Sequence, residues 1–255
     1  MIIFAETKNL KDMELENYSK EERIDNSSTS NGQYVDHEKV ALSKYMTSVY
    51  KMMFYALLLT GASAWVVAHS ETLRNIFLGS FWIWALVELG LVIAISAGIQ
   101  KFEARTLNIL FVIYSIVNGL TLSSIFLVFD LGLIETAFFI TAGTFGACSF
   151  IGYKIKKDLS TIGRIAFFVL IGGIIATIVN IFMASSTLDW IINYAMVGVF
   201  VILTAYDTQK LKNGGFHYLA EEDQQRWVVY GALELYLDFI NLFLYILRIL
   251  ARSRD

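Results

Sequence analysis

The sequence predicts an all-α, polytopic membrane protein with seven transmembrane helices, and three observations carry that prediction. Hydrophobic residues make up 56% of the 255 and charged ones only 17%, with a mean hydropathy of +0.57, outside the usual range for soluble domains. Beyond a polar amino-terminal stretch, the hydropathy resolves into seven apolar segments, each of about 20 residues or more and so long enough to cross a ~30 Å hydrocarbon core. The last of them, Trp227 to Leu250, is apolar except for Glu234, Asp238, Asn241, Tyr245 and Arg248, spaced by 4, 3, 4 and 3 residues. On a helix those steps keep all five within an arc of roughly 80°. An ionisable side chain at mid-bilayer costs about 2.5–3.5 kcal/mol, so three on one span are tolerable only facing protein or trapped water. This helix is therefore expected inside the bundle.

Residues 1–44 are polar, charged and interrupted by Asn-Ser-Ser-Thr-Ser-Asn-Gly at Asn26 to Gly32, the composition of a flexible tail. The opening Met1 to Ala5 is too short for a signal-peptide core. The seven segments lie near Tyr45 to Ala68, Ile76 to Ile99, Leu107 to Phe129, Leu131 to Tyr153, Ile162 to Met183, Leu188 to Thr208 and Trp227 to Leu250. Connections as short as Asp130 make consecutive helices antiparallel neighbours. Proline is absent, so any kink must come from Gly, Ser/Thr or a π-bulge. Small residues at Ala142, Gly146, Gly172 and Gly173 suit close helix approach.

Lys101, Arg105, Lys154, Lys156, Lys157, Arg164, Lys210, Lys212 and Arg226 fall after the second, fourth and sixth segments, against Arg74 alone after the first, third and fifth. The positive-inside rule then puts the amino terminus in the cytoplasm. Arg252 and Arg254 sit awkwardly on the far side, but long basic side chains snorkel, and a full crossing is favoured over a re-entrant one. The acidic excess lies in the tail, where residues 1–45 hold six Lys/Arg against nine Asp/Glu and the remainder hold fourteen of each. Nothing in that balance points to nucleic acid, which needs a basic face. The single Cys148 excludes an internal disulfide.

Two acidic residues carry the candidate chemistry. Asp207 lies in Leu203 to Lys212, at the cytoplasmic end of the sixth segment, and Asp238 lies in the seventh, which runs back beside it. Their depths match best if residues 221–229 form an extramembrane turn of the last helix. Two carboxylates within hydrogen-bonding range in a low-dielectric site cannot both ionise cheaply, so one proton is shared and the pair responds to pH. Fully ionised, the pair offers hard oxygen ligands to a cation such as Ca²⁺. The plainer alternative is that Asp207 serves its basic neighbours while Asp238 hydrogen-bonds within the bundle.

The stretches TAYDTQKLK (Thr204 to Lys212) and LYLDFINLFLYILR (Leu235 to Arg248) resemble the two signature segments of the Bax inhibitor-1 family, also called the transmembrane BAX inhibitor motif family. The likeness extends to NGLTLSSIF (Asn118 to Phe126) and YKIKKDLS (Tyr153 to Ser160). The resemblance implies a last helix wrapped by the other six and a pH-dependent Ca²⁺ leak governed by aspartates matching Asp207 and Asp238. In the family's bacterial members an arginine at the cytoplasmic end of the second span latches onto the pair. Here that region reads Ile99, Gln100, Lys101, with Arg105 further on, so Lys101 and Arg105 are the candidate latches. A lysine lacks the bidentate fork and would hold the closed state less firmly. For Arg248 the resemblance favours Glu88 as ion-pair partner, whereas depth favours Glu135. Glu234, outside the signature, either adds a third carboxylate or faces the cytoplasm.

Enzymatic readings have little support. His37, His69 and His217 lie in the tail or loops, without metal-ligand spacing among them. Neither signature resembles an aspartyl intramembrane protease. The expected function is a pH-sensitive calcium leak channel or transporter that holds no cofactor. Its partners are then the lipid bilayer, Ca²⁺ and protons, and the compact tail and loops suit a bacterial inner membrane. The alternative is a non-transporting regulator that binds membrane proteins such as a protease or a cell-death factor, which the acidic tail would suit. A proton-coupled transporter would employ the same carboxylates and show substrate saturation.

Overall fold

The computed structural model describes residues 38–253, and every described regular element is helical. In chain order these are α1 (Glu38–Ala68), α2 (Glu71–Gly79), α3 (Phe81–Gly98), α4 (Ala104–Leu122), α5 (Ile125–Val128), α6 (Leu131–Lys154), α7 (Ser160–Met183), α8 (Ser186–Asn213), a 3-10 turn (Phe216–Tyr218) and α9 (Glu221–Arg252). Residues Tyr45–Asp255 form one compact unit. The expected flexible tail over 1–44 lies, apart from residues 38–44, outside the described residues.

Five helices are long and apolar enough to cross a membrane, or six if α2 and α3, which meet at a sharp bend, count as one span. The sequence reading expects seven. The difference at the second segment has a local cause at Ser80, whose backbone N–H closes onto Phe77. The Ser80 hydroxyl donates to the Ile76 carbonyl at 2.7 Å and accepts from the Trp84 indole at 2.9 Å. The third segment, Ala104–Val128, counts as one span although it turns briefly at Ser123 and Ser124, whose hydroxyls donate to the carbonyls of Leu120 and Thr121. Such hydroxyl-to-carbonyl bonds also occur within unbroken helices, at Ser115, Thr141 and Thr204, so here they accompany the interruptions by satisfying carbonyls that the turn leaves open. The expected span that falls outside the count is the charge-bearing α9.

The helices differ sharply in burial. In α7 only Gly163 and Ala166 are buried, while Phe167, Phe168, Ile175 and Phe182 stand exposed. So large an exposed apolar surface marks a helix that meets lipid or a partner. In α9 thirteen residues are buried, including Leu235, Tyr236, Asp238 and Leu242, and the helix packs on α8, α6 and α4.

Of the glycines the sequence suggests, Gly173 marks a close approach, since a Cβ there would fall 2.4 Å from Met196 Sδ on α8. A Cβ on Gly146 or Gly172 would meet open space, whereas one on Gly152 would fall 2.2 Å from the Ala205 carbonyl oxygen. Gly152 thus seats α6 against the backbone of α8 just ahead of Asp207. Gln209, 4% exposed, fixes the α6–α7 connection: its amide donates to the Lys157 carbonyl at 2.8 Å and accepts from the Leu159 N–H at 2.8 Å. In that connection Asp158 accepts from the backbone and hydroxyl of Ser160, which holds its carboxyl below the usual range.

Candidate functional site

The α8/α9 pair is antiparallel, as the contacts Lys210–Glu234, Asp207–Asp238 and Phe200–Tyr245 show by stepping in opposite directions along the two helices. Helical periodicity places Asp207 and Lys210, one turn apart, on the face of α8 that meets Glu234 and Asp238 of α9. Lys210 Nζ donates to Glu234 Oε1 at 2.6 Å, lies 4.0 Å from Asp207 Oδ1, and sits 5.4 Å from the centre of the Tyr230 ring. Asp207 and Asp238 face one another across this helix pair on the wall of one cavity, the juxtaposition that a carboxyl–carboxyl hydrogen bond requires. Because an ionised carboxylate only accepts, such a bond needs a proton on one of them.

All four groups line one side of a cavity of about 620 Å³ between α7, α8 and α9. Phe167, Phe168, Ile174, Met196, Phe200 and Leu203 supply its apolar wall, and Asn241 and Tyr245 continue the polar seam inward. Asp238 is 4% exposed. Two carboxylate oxygens here, Glu234 Oε2 and Asp238 Oδ2, are buried with no hydrogen-bond partner. Buried acceptors are rarely left so, and each unmet one normally costs about 1–3 kcal/mol. The cavity therefore presents acceptor capacity that the protein itself does not use.

The family model described as inhibitor of apoptosis-promoting Bax1 matches residues 42–255, which takes in the whole of this site. The chain belongs to the Bax inhibitor-1 family. It is similar to inner membrane protein YbhL of Escherichia coli K12, 45% identical over 221 residues, 85% of this chain and 94% of that one. An uncharacterized protein of Borreliella burgdorferi is 38% identical over 219 residues, 84% of this chain and 94% of its own. An uncharacterized membrane protein of Streptococcus pyogenes serotype M1 is 34% identical over 221 residues, 84% and 95% of the two chains.

In this Bax inhibitor-1 family member the first signature segment divides its residues by helix face. Asp207 and Lys210 turn to the cavity. Thr208 meets the Tyr50 hydroxyl at 3.3 Å, Gln209 holds the α6–α7 connection, and Lys212 Nζ donates to the Tyr153 carbonyl at 2.8 Å. In the second, Asp238 faces Asp207 while Tyr236 points elsewhere. The Tyr236 hydroxyl donates to Asn118 Oδ1 at 2.9 Å and lies 2.6 Å from Thr60 Oγ1, tying α9 to α4 and α1. A buried tyrosine hydroxyl needs such partners. The polar Thr60 and Asn118 inside apolar segments are the sequence signal for them.

Two expectations need correction. Lys101 and Arg105 are exposed and form no ion pair with Asp207 or Asp238 among the described residues. The cation beside the pair is Lys210, one turn along the same helix as Asp207 and so already at the right depth. Arg248 pairs with neither Glu88 nor Glu135 among the described residues. Glu88 is taken up by α4, where Thr121 Oγ1 donates to its Oε1 and Asn118 Nδ2 to its Oε2 at 3.3 Å. Glu135 is exposed on α6, and the Arg248 guanidinium lies over the Tyr245 ring at 5.6 Å. Glu234, whose two roles the sequence leaves open, faces the cavity as Lys210's main partner.

Proposed function

We propose that this protein passes Ca²⁺ down its gradient and that a proton held between Asp207 and Asp238 sets whether it does so. The observation that carries the reading is the pair of unpartnered carboxylate oxygens, on Glu234 and Asp238, in a cavity also lined by Asp207. Hard cations take carboxylate oxygens as ligands. Three carboxylates stand against Lys210 beside them and Arg164 on the wall of the same cavity, which leaves one net negative charge when all are ionised. Among the described residues no three His, Cys, Asp or Glu side chains converge to hold a metal ion. Ca²⁺ is therefore cargo in this proposal, and Lys210 is the tethered counter-charge that an arriving cation displaces.

The proposal includes seven crossings with α9 enclosed by the others, a cytoplasmic amino terminus and a bacterial inner membrane. The extensive burial of α9 and its contacts with α4, α6 and α8 support the enclosure. The Lys/Arg asymmetry supports the orientation, and the relationship to an inner membrane protein supports the location. No bond-breaking chemistry and no resident cofactor are part of it. Purified protein in Ca²⁺-loaded liposomes should release Ca²⁺ with a pH-dependent rate, and Asp207→Asn and Asp238→Asn should each abolish that dependence. Equal pH responses in parent and both variants would overturn the sensor assignment. Absence of flux from the pure parent would favour the regulator that acts through protein partners.

A further inference from the structure

At the end of α9 opposite the carboxylate cluster, the helices form a second, smaller site that the transport reading does not employ. Arg248 and Arg252, four residues apart on the same face, border a cavity of about 230 Å³ with Trp190, Asn193, Tyr194 and Ser253. Arg252 donates to the Ser186 carbonyl at 2.9 Å and stands 3.6 Å from Asp189 Oδ2. That same oxygen of Asp189 accepts from Asn193 Nδ2 at 3.0 Å. Arg248, by contrast, has no hydrogen bond or ion pair among the described residues. Two guanidiniums against one carboxylate leave the site with one net positive charge.

A second observation independently marks a ligand. Asn193 is only 3% exposed, and its Oδ1 is buried without a partner while its amide is committed to Asp189. The site thus offers a free guanidinium fork and, beside it, a free acceptor. Guanidinium groups match phosphate oxygens in bidentate geometry. An unmet buried acceptor asks for an O–H or N–H donor. Trp190 and Tyr194, half exposed with ring centres 4.7 Å apart and planes tilted by 43°, are the amphipathic aromatics found where a bilayer meets water.

We infer that this cavity binds a phosphate group that carries its own hydrogen-bond donor, with Arg248 gripping the phosphate and Asn193 Oδ1 accepting from the donor. Two sources share that chemistry: a membrane phosphodiester such as phosphatidylglycerol, with its headgroup hydroxyls, and phosphate from solution. The inference stands whether or not the carboxylate cluster passes an ion.

The test uses full-length protein, delipidated in detergent, with binding read by native mass spectrometry and by thermal unfolding. Probes are phosphatidylglycerol, phosphatidylcholine, which has the phosphate but no donor, and inorganic phosphate. Phosphatidylglycerol should bind the parent more tightly than phosphatidylcholine, and Arg248→Gln should weaken it about tenfold or more, as expected for a lost charge-assisted bond. Arg248→Lys should fall between them, and Arg105→Gln, away from the cavity, should bind as the parent does. If inorganic phosphate alone stabilises the parent but not Arg248→Gln, the site stands and its ligand comes from solution. Equal binding by parent, Arg248→Gln and Arg248→Lys, or no binding of either anion to the parent, overturns the inference.

Discussion

Asp238 is buried on α9 with one carboxylate oxygen unmet, and Asp207 lines the same cavity beside it. Lys210 is the group that makes the arrangement tolerable, because it neutralises Glu234 directly and reaches Asp207. Removing that positive charge disfavours ionised carboxylates around it. Lys210→Gln should therefore move the pH midpoint of Ca²⁺ flux upward, and Glu234→Gln should move it downward by removing a like charge from the pair. A flux titration of both variants against the parent checks the two signs together. The aspartates are legible in the sequence because helical spacing fixes which residues share a face. Lys210 sits in plain view among the cytoplasmic basic residues, where charge counting assigns it to topology. Its role depends on which face of α8 meets Glu234, which is a matter of packing between two helices.

Single contacts of this kind act through elements, and α8 is held at the correct height by two of its neighbours. Gly152 lets the α6 backbone touch Ala205. Gly152→Val forces a side chain into that contact, with no flexible neighbour to yield, and should cost about 1–3 kcal/mol as overpacking does. Gln209→Leu strands the Lys157 carbonyl and the Leu159 N–H, and should cost about 1–3 kcal/mol if those groups stay dry. Thermal unfolding in detergent reads both losses. Helices α6 and α7 start and stop within two residues of where hydropathy puts them, since long apolar runs bounded by charge leave little choice, whereas α8 runs on to Asn213 and α9 begins at Glu221, because polar residues extend a helix beyond its apolar run. The second segment bends at Ser80 and the third turns briefly at Ser123–Ser124, where serine hydroxyls bond carbonyls of the preceding turn. Hydropathy averages over such single residues and cannot register them. The same averaging hides Arg248's environment: Glu88 has the charge to pair with it, yet Thr121 and Asn118 hold that carboxylate first.

At the scale of the whole molecule, the polar groups fall into separate places around an apolar bundle. Acidic residues and Lys210 gather at one end of the α8/α9 pair, Arg248 and Arg252 gather at the other, and the Glu88–Asn118–Tyr236–Thr60 chain runs between α3, α4, α9 and α1. The proposed topology puts the arginine end outside. In a Cys148→Ala background, Ser253→Cys should react in intact cells with a maleimide that cannot cross the membrane. Labelling only after lysis would place that end in the cytoplasm. All-helical membrane architecture and family membership are readable from composition and two short segments, whereas the partner of each charge emerges only from packing. The proposed function turns on one proton shared by Asp207 and Asp238. Structures of the parent determined at acid and at alkaline pH test it most directly. The account predicts carboxyl groups in hydrogen-bonding contact in acid and driven apart in alkali, where both are ionised and repel. An unchanged separation at the two pH values would contradict it.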